Sequence, residues 1–147
     1  MNPTVHFKLL HPAAKAPVYA TPGAAAADLH AVLDEPLTLE PGGRAMVPTG
    51  IAIQLPGAQW VALVCARSGL AVKHGLTLSN GIGVIDTDYR GEIKVGLVNL
   101  GHAAYTLQPG ERLAQLMVMP VAQAAFVQAE TLDETDRGAG GFGSTGR

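Results

Sequence analysis

The chain has 147 residues, 48% of them apolar and only 15% charged, with a formal net charge of −2 at neutral pH. That length holds one domain with a real core and is too short for two typical ones. The slightly acidic balance argues against a nucleic-acid polymer as ligand, which would want a basic face, and the apolar surplus points to an unusually full core or to surface buried against copies of the chain.

Near the start, Val5, Phe7 and Leu9 alternate with His6 and Lys8, the period of a half-buried strand. No long apolar h-region is visible there and no stretch approaches a membrane span, so a soluble cytoplasmic protein is expected. Ala24–Ala27 favours helix by propensity, but Pro22 and Gly23 precede it and no amphipathic stripe follows. Short apolar runs at Ala45–Leu55, Trp60–Cys65, Glu92–Leu100, Ala103–Leu107, Leu113–Val121 and Ala124–Ala129 read as further strands. Pro-Gly pairs at 22–23, 41–42, 56–57 and 109–110 mark turns between them. The pattern T-L-x-P-G-x-R occurs at Thr38–Arg44 and again at Thr106–Arg112, which predicts two similar turns leading into strands. One short helix is expected, from Ser68 as cap to Gly75 as terminator. The sum is an all-β sandwich or jelly roll with one notable helix. Cys65, the only cysteine, lies in an apolar run and reads as a buried thiol. The histidines lack ligand spacing, so zinc is not expected.

Three segments carry chemistry. Arg67-Ser68-Gly69 opens the helix turn and offers a guanidinium, a hydroxyl and unpaired N–H groups, a cradle for an oxyanion as well as an ordinary capped turn. Asn80-Gly81-Ile82-Gly83-Val84-Ile85 reads as a tight hairpin. It leads into Asp86-Thr87-Asp88-Tyr89-Arg90-Gly91-Glu92, where extended chain would put Asp86, Asp88 and Arg90 on one face, around a water, a hydrated cation or an anion. Beyond Thr131 the composition changes, and five of the last ten residues are glycine. Residues 1–130 are read as the β domain and 131–147 as a mobile C-terminal arm. Gly138, Gly140 and Gly143 match G-x-G-x-x-G by spacing alone, since no room for a helix follows.

In one order stand Ala26-Ala27-Asp28-Leu29, Ala66–Ala71, the Asp86 segment, Gly110–Leu116 and Arg137–Gly146. With these five motifs the chain resembles the homotrimeric dUTPase family over nearly its whole length. The resemblance implies a jelly-roll-like distorted β-barrel. It also implies hydrolysis of dUTP to dUMP and pyrophosphate, which keeps uracil out of DNA and supplies dUMP for thymidylate. Asp86 would activate the water that attacks the α-phosphorus, with Mg²⁺ as cofactor. Substrate contacts would come from Arg67, Ser68, Gly69, Asn80, Gly83, Tyr89, Gln115, Arg137, Phe142, Gly143, Ser144 and Thr145. Within that set Tyr89 would lie under the deoxyribose, Phe142 would stack on uracil, and Ser144 and Thr145 would close over the terminal phosphate. Asp28 would support the metal through water or else the arginine network. The partners implied are dUTP and two further copies of the chain, with active sites shared among three subunits. Two other readings differ in class. A dCTP deaminase would need a carboxylate beside the base, which the Asn80–Ile85 segment lacks. A non-catalytic nucleotide-binding trimer would have no use for the aspartate.

Overall fold

The structure, a computed structural model, describes residues 2–141; Met1 and residues 142–147 lie outside the described part. The strands are β1 (His6–Leu9), β2 (Val18–Tyr19), β3 (Ala27–His30), β4 (Leu37–Leu39), β5 (Arg44–Pro48), β6 (Ile51–Gln54) and β7 (Trp60–Ala66). The helix α1 (Ser68–His74) follows, then β8 (Leu76–Leu78), β9 (Gly83–Ile85), β10 (Lys94–Asn99), β11 (Tyr105–Leu107) and β12 (Arg112–Pro120). Every ladder is antiparallel. A five-stranded sheet runs β2-β3-β12-β7-β9, a three-stranded one β5-β10-β8, and β1-β6 and β4-β11 form two pairs. The all-β jelly-roll architecture expected from the strand spacing is present. No helix of the described residues is long and apolar enough to cross a membrane.

The inward residues of these strands make one core, centred on Leu29, Val47, Ile51, Leu97, Leu107 and Leu113, each 2% exposed or less. Burying such an aliphatic side chain contributes about 1.5–3 kcal/mol, which is what holds sheets of such short strands together. Among the described residues two polar ones share the interior, each fully bonded. Asn99 donates to the carbonyls of Leu39 and Ala103 at 2.8 Å each and accepts from Gly101 N–H. Thr49 donates to the Ile93 carbonyl at 2.6 Å.

Thr49 and Gly50 also correct the sequence reading of Ala45–Leu55 as a single run. The chain turns there, because Gly50 takes φ 66° and a Cβ on it would stand 2.5 Å from the Ala14 Cβ, so only glycine fits. The two T-L-x-P-G-x-R segments do lead into strands β5 and β12, and their first residues pair with each other. Thr38 lies opposite Thr106 in the β4–β11 ladder, their hydroxyls 2.8 Å apart. Strand β1 forms where alternation places it, but Phe7 and Leu9 stay about half exposed, 51% and 48%.

The helix also forms where expected. Gly75 ends it in the left-handed region, donating to the Ala71 carbonyl. Its start differs: Arg67 occupies the N-cap in extended backbone without a side-chain cap bond, and Ser68 is the first helical residue. The strand expected over Ala124–Ala129 is absent. Among the described residues the last backbone hydrogen bond to the body is Val121 N–H to the Gln59 carbonyl at 2.9 Å, after which the chain runs exposed, Phe126 at 98% and Val127 at 84%. Extended backbone becomes a strand only with a neighbour to pair with, and the described residues offer that segment none.

Candidate active site in two halves

Strand β12 lies between β3 and β7, and its register sets Gln115 opposite both Asp28 and Cys65. A register shift between Arg112 and Ala114 turns Arg112 toward the same face as Asp28. Asp28 is mostly buried, its side chain 16% exposed, and each of its carboxylate oxygens holds a guanidinium. Arg67 Nε stands 3.3 Å from Oδ1 and an Arg112 terminal nitrogen 3.1 Å from Oδ2. Arg67 donates further to the Arg112 carbonyl at 3.2 Å. Gln115 Nε2 donates to the Ala66 carbonyl at 2.9 Å and so fixes the backbone that enters Arg67 and Ser68.

These residues line a cavity of about 190 Å³ together with exposed Ser68 and Gly69. Two guanidiniums against one carboxylate leave it locally positive, a setting for an anion. Arg112 belongs to this half although the sequence reading did not single it out. Its place in the T-L-x-P-G-x-R echo was the available signal. Beside Arg112 across the ladder, His30 has a buried Nδ1 without a partner among the described residues. Burial and then the positive charge of Lys15 lower its pKa, so at neutral pH it adds no charge to the cavity. Of the two roles implied for Asp28, the arginine network is the one its contacts support. Among the described residues no three His, Cys, Asp or Glu side chains converge on a metal position.

The second half is built around β9. The turn that precedes it is not a paired hairpin: β8 pairs with β10 and β9 with β7, so the turn joins two sheets. It is closed by Gly81 N–H to Leu78 C=O at 3.2 Å and Ile82 N–H to Asn80 C=O at 2.9 Å. Because β9 is the last strand of its sheet, its outer edge carries no ladder and its backbone groups face outward. Asn80 lies beside Gly83, where an added Cβ would sit 3.0 Å from that of Val64.

Past β9 the chain does not stay extended. Tyr89 N–H donates to the Asp86 carbonyl at 3.2 Å, closing a turn, so Asp86 and Asp88 do not share a face as extended chain would have it. Arg90 is also placed differently from expectation. Its guanidinium donates to the Thr87 carbonyl at 2.6 Å and the Tyr89 carbonyl at 2.9 Å, so it braces the turn from within. Tyr89 lies over the segment with its hydroxyl on the Glu92 carbonyl at 2.9 Å. Exposed Asp86, Tyr89, Val84 and Met46 border a cavity of about 510 Å³.

No residue lines both cavities. The β7 ladder explains why: Ile85 pairs with Ala62, near the start of β7, whereas Ser68 lies two residues past its end at Ala66. Some six residues of strand at about 3.3 Å each put Asp86 and Ser68 on the order of 20 Å apart in one chain. Arg137 reaches neither cavity; it sits in an exposed turn with its Nε donating to the Gly140 carbonyl at 2.9 Å. Phe142, Gly143, Ser144 and Thr145 lie outside the described residues.

A family model described as dUTPase matches residues 13–146. The deoxyuridine 5′-triphosphate nucleotidohydrolase of Desulfitobacterium hafniense is 57% identical over 134 residues, covering 91% of this chain and 89% of that one. The protein of the same name from Leptothrix cholodnii is 48% identical and covers 100% of this chain and 99% of its own. Among solved structures, the dUTPase of Staphylococcus bacteriophage 80alpha with dUPNHPP superposes with a TM-score of 0.87 at 27% identity, covering 98% of this chain and 99% of that one.

Proposed function

The chain belongs to the dUTPase family, and from that premise we propose that it hydrolyses dUTP to dUMP and pyrophosphate at sites assembled from more than one copy. The observation that carries the shared site is the separation of its halves. A water poised for attack must lie within about 3–3.5 Å of the phosphorus. Asp86 cannot hold that water over a phosphate bound at Ser68 of its own chain, some 20 Å away. The Asp86 half of one copy therefore meets the arginine half of another, and the homotrimer implied by the resemblance supplies that juxtaposition.

In this arrangement uracil lies along the open edge of β9. Outward backbone groups of Gly83–Ile85 and the Asn80 amide match its O4 and N3–H, while cytosine's amino group would leave buried groups unpaired. Tyr89 packs under the deoxyribose and excludes a 2′-hydroxyl. The triphosphate enters the positive cavity, where Arg67, Ser68, Gly69 and Gln115 surround it and Arg112 adds a second guanidinium. Asp86 takes a proton from water as its oxygen bonds to the α-phosphorus. The bond to the α,β-bridging oxygen breaks, and its electron pair leaves with pyrophosphate.

Mg²⁺ held by phosphate oxygens and water would neutralise the leaving group. The residues present fit that mode, for the cavity has a single carboxylate, Asp28, and both its oxygens already hold arginines. Asp28 would reach the ion only through water. Residues 131–147 serve as the arm, with Arg137, Phe142, Gly143, Ser144 and Thr145 closing over the nucleotide of another copy. Pyrophosphate release from dUTP, dCTP, dTTP and UTP with Mg²⁺ tests the proposal. Turnover restricted to dUTP is expected, and ammonia from dCTP or no turnover at all would reject it.

A further inference from the structure

We propose that Thr87 is a positioning residue for Asp86, its hydroxyl fixing the turn that carries the base; the inference rests on the role of Asp86 given above. The ladder between β7 and β9 ends at Ala62 and Ile85, so Asp86 is the first residue beyond it. Asp86 is exposed, and among the described residues no ion pair holds its carboxylate. Its place is set through the backbone alone, by the ladder on one side and the turn on the other.

Half-buried Thr87 is the one side chain of the Asp86–Arg90 turn that reaches back into the body. Its hydroxyl points at the Trp60 carbonyl at 3.1 Å and the Gly57 carbonyl at 3.4 Å, bridging the turn to the start of β7. Within the turn, Arg90 clamps the carbonyls of Thr87 and Tyr89. Peptide planes are rigid, and the plane joining Asp86 to Thr87 is held at one end by the Thr87 side chain and at its carbonyl by the Tyr89 N–H at 3.2 Å. A general base displaced by about 1 Å loses on the order of 100-fold in rate. A hydroxyl that only tied down a surface turn would affect stability and leave kcat of the folded enzyme alone.

The experiment compares full-length Thr87→Val, Thr87→Ser, Arg90→Gln and Asp86→Asn with the parent. Measured are kcat and KM for dUTP, and the Kd of α,β-imido-dUTP with Mg²⁺. Thr87→Val keeps the shape and removes the hydroxyl. Its kcat should fall about 10–100-fold while analogue Kd stays within about threefold, because the base is read upstream on β9. Thr87→Ser should restore most of kcat, and Arg90→Gln should lower kcat in the same selective way. Full kcat in Thr87→Val, or a serine variant as slow as the valine one, overturns the proposal. If Thr87→Val does not fold, exposed Arg90→Gln decides: a selective loss of kcat supports the proposal and parental kcat overturns it. Asp86→Asn separates the two levels. If it retains turnover, the role of Asp86 fails and the inference with it. If it is inactive while Thr87→Val and Arg90→Gln are fully active, the positioning role alone fails.

Discussion

Gly69 should respond to a single methyl group with opposite signs in stability and in activity. It is the second residue of α1, its φ is not positive, and an added Cβ would meet nothing within 4 Å. No packing or backbone constraint of the described chain asks for glycine there. Alanine would restrict the unfolded chain and favour the helix, a gain of about 0.5 kcal/mol for a first-turn position. For a chain of this size that raises Tm by roughly 1–2 °C. If glycine is present so that phosphate oxygens can approach the backbone, the same methyl obstructs them. Moving a bound phosphate by about 1 Å lowers hydrolysis on the order of 100-fold. Thermal unfolding and initial rates of pyrophosphate release on Gly69→Ala read both effects. A higher Tm with lost hydrolysis is expected. Unchanged hydrolysis refutes close approach of substrate, and a lowered Tm refutes the open space around Gly69, pointing to packing against another copy.

Asp28→Asn frees two guanidiniums at once. With Arg112 49% exposed and Arg67 27%, solvent screening limits the loss to about 1–2 kcal/mol in denaturant unfolding. Hydrolysis should fall about tenfold as Arg67 loses its fixed direction. Tyr105, whose hydroxyl donates to the Glu111 carboxylate, has its pKa raised from 10.0 to about 12 by burial and then by that bond. A folded pKa above the unfolded one gives stability that is full below pH 10 and lost as pH rises toward 12. Tyr105→Phe should flatten the loss over that window when midpoints are compared. Ending the chain after Asp136 should leave Tm and oligomeric mass unchanged and reduce dUTP hydrolysis severely; normal hydrolysis would show that the arm has no part in closure.

Period-two alternation and Pro-Gly turns were enough to read the β architecture, because strand pairing needs only an apolar face and a place to turn. Helix α1 was legible from Gly75 for the same local reason, whereas its cap was misplaced: which residue caps depends on how β7 delivers Arg67. The split at Thr49-Gly50 depends on Ala14, thirty-six residues away in sequence, so no local pattern could announce it. Ala124–Ala129 has the composition of a strand and remains unpaired, since pairing belongs to tertiary structure. At the candidate site, residue types and order pointed to segments that the fold gathers around two cavities, while geometry changed how several of their residues are used. Arg90 braces a turn, Asp88 leaves the face of Asp86, and Arg112 joins the arginine-lined cavity through a register shift invisible in spacing.

The claim on which the rest depends is that Asp86 and the arginine cavity act together only across copies. Two inactive variants test it when mixed: Asp86→Asn, which keeps the cavity, and Arg67→Gln, which keeps the base. Unfolded together and refolded at equal amounts, they should regain activity in mixed oligomers. If each site draws its two halves independently from the pool, about a quarter of sites carry both parental residues. Hydrolysis near that fraction of the parent rate is the predicted result. No recovery above the separate variants, with mixed oligomers confirmed by mass, would place both halves in one chain and contradict the account.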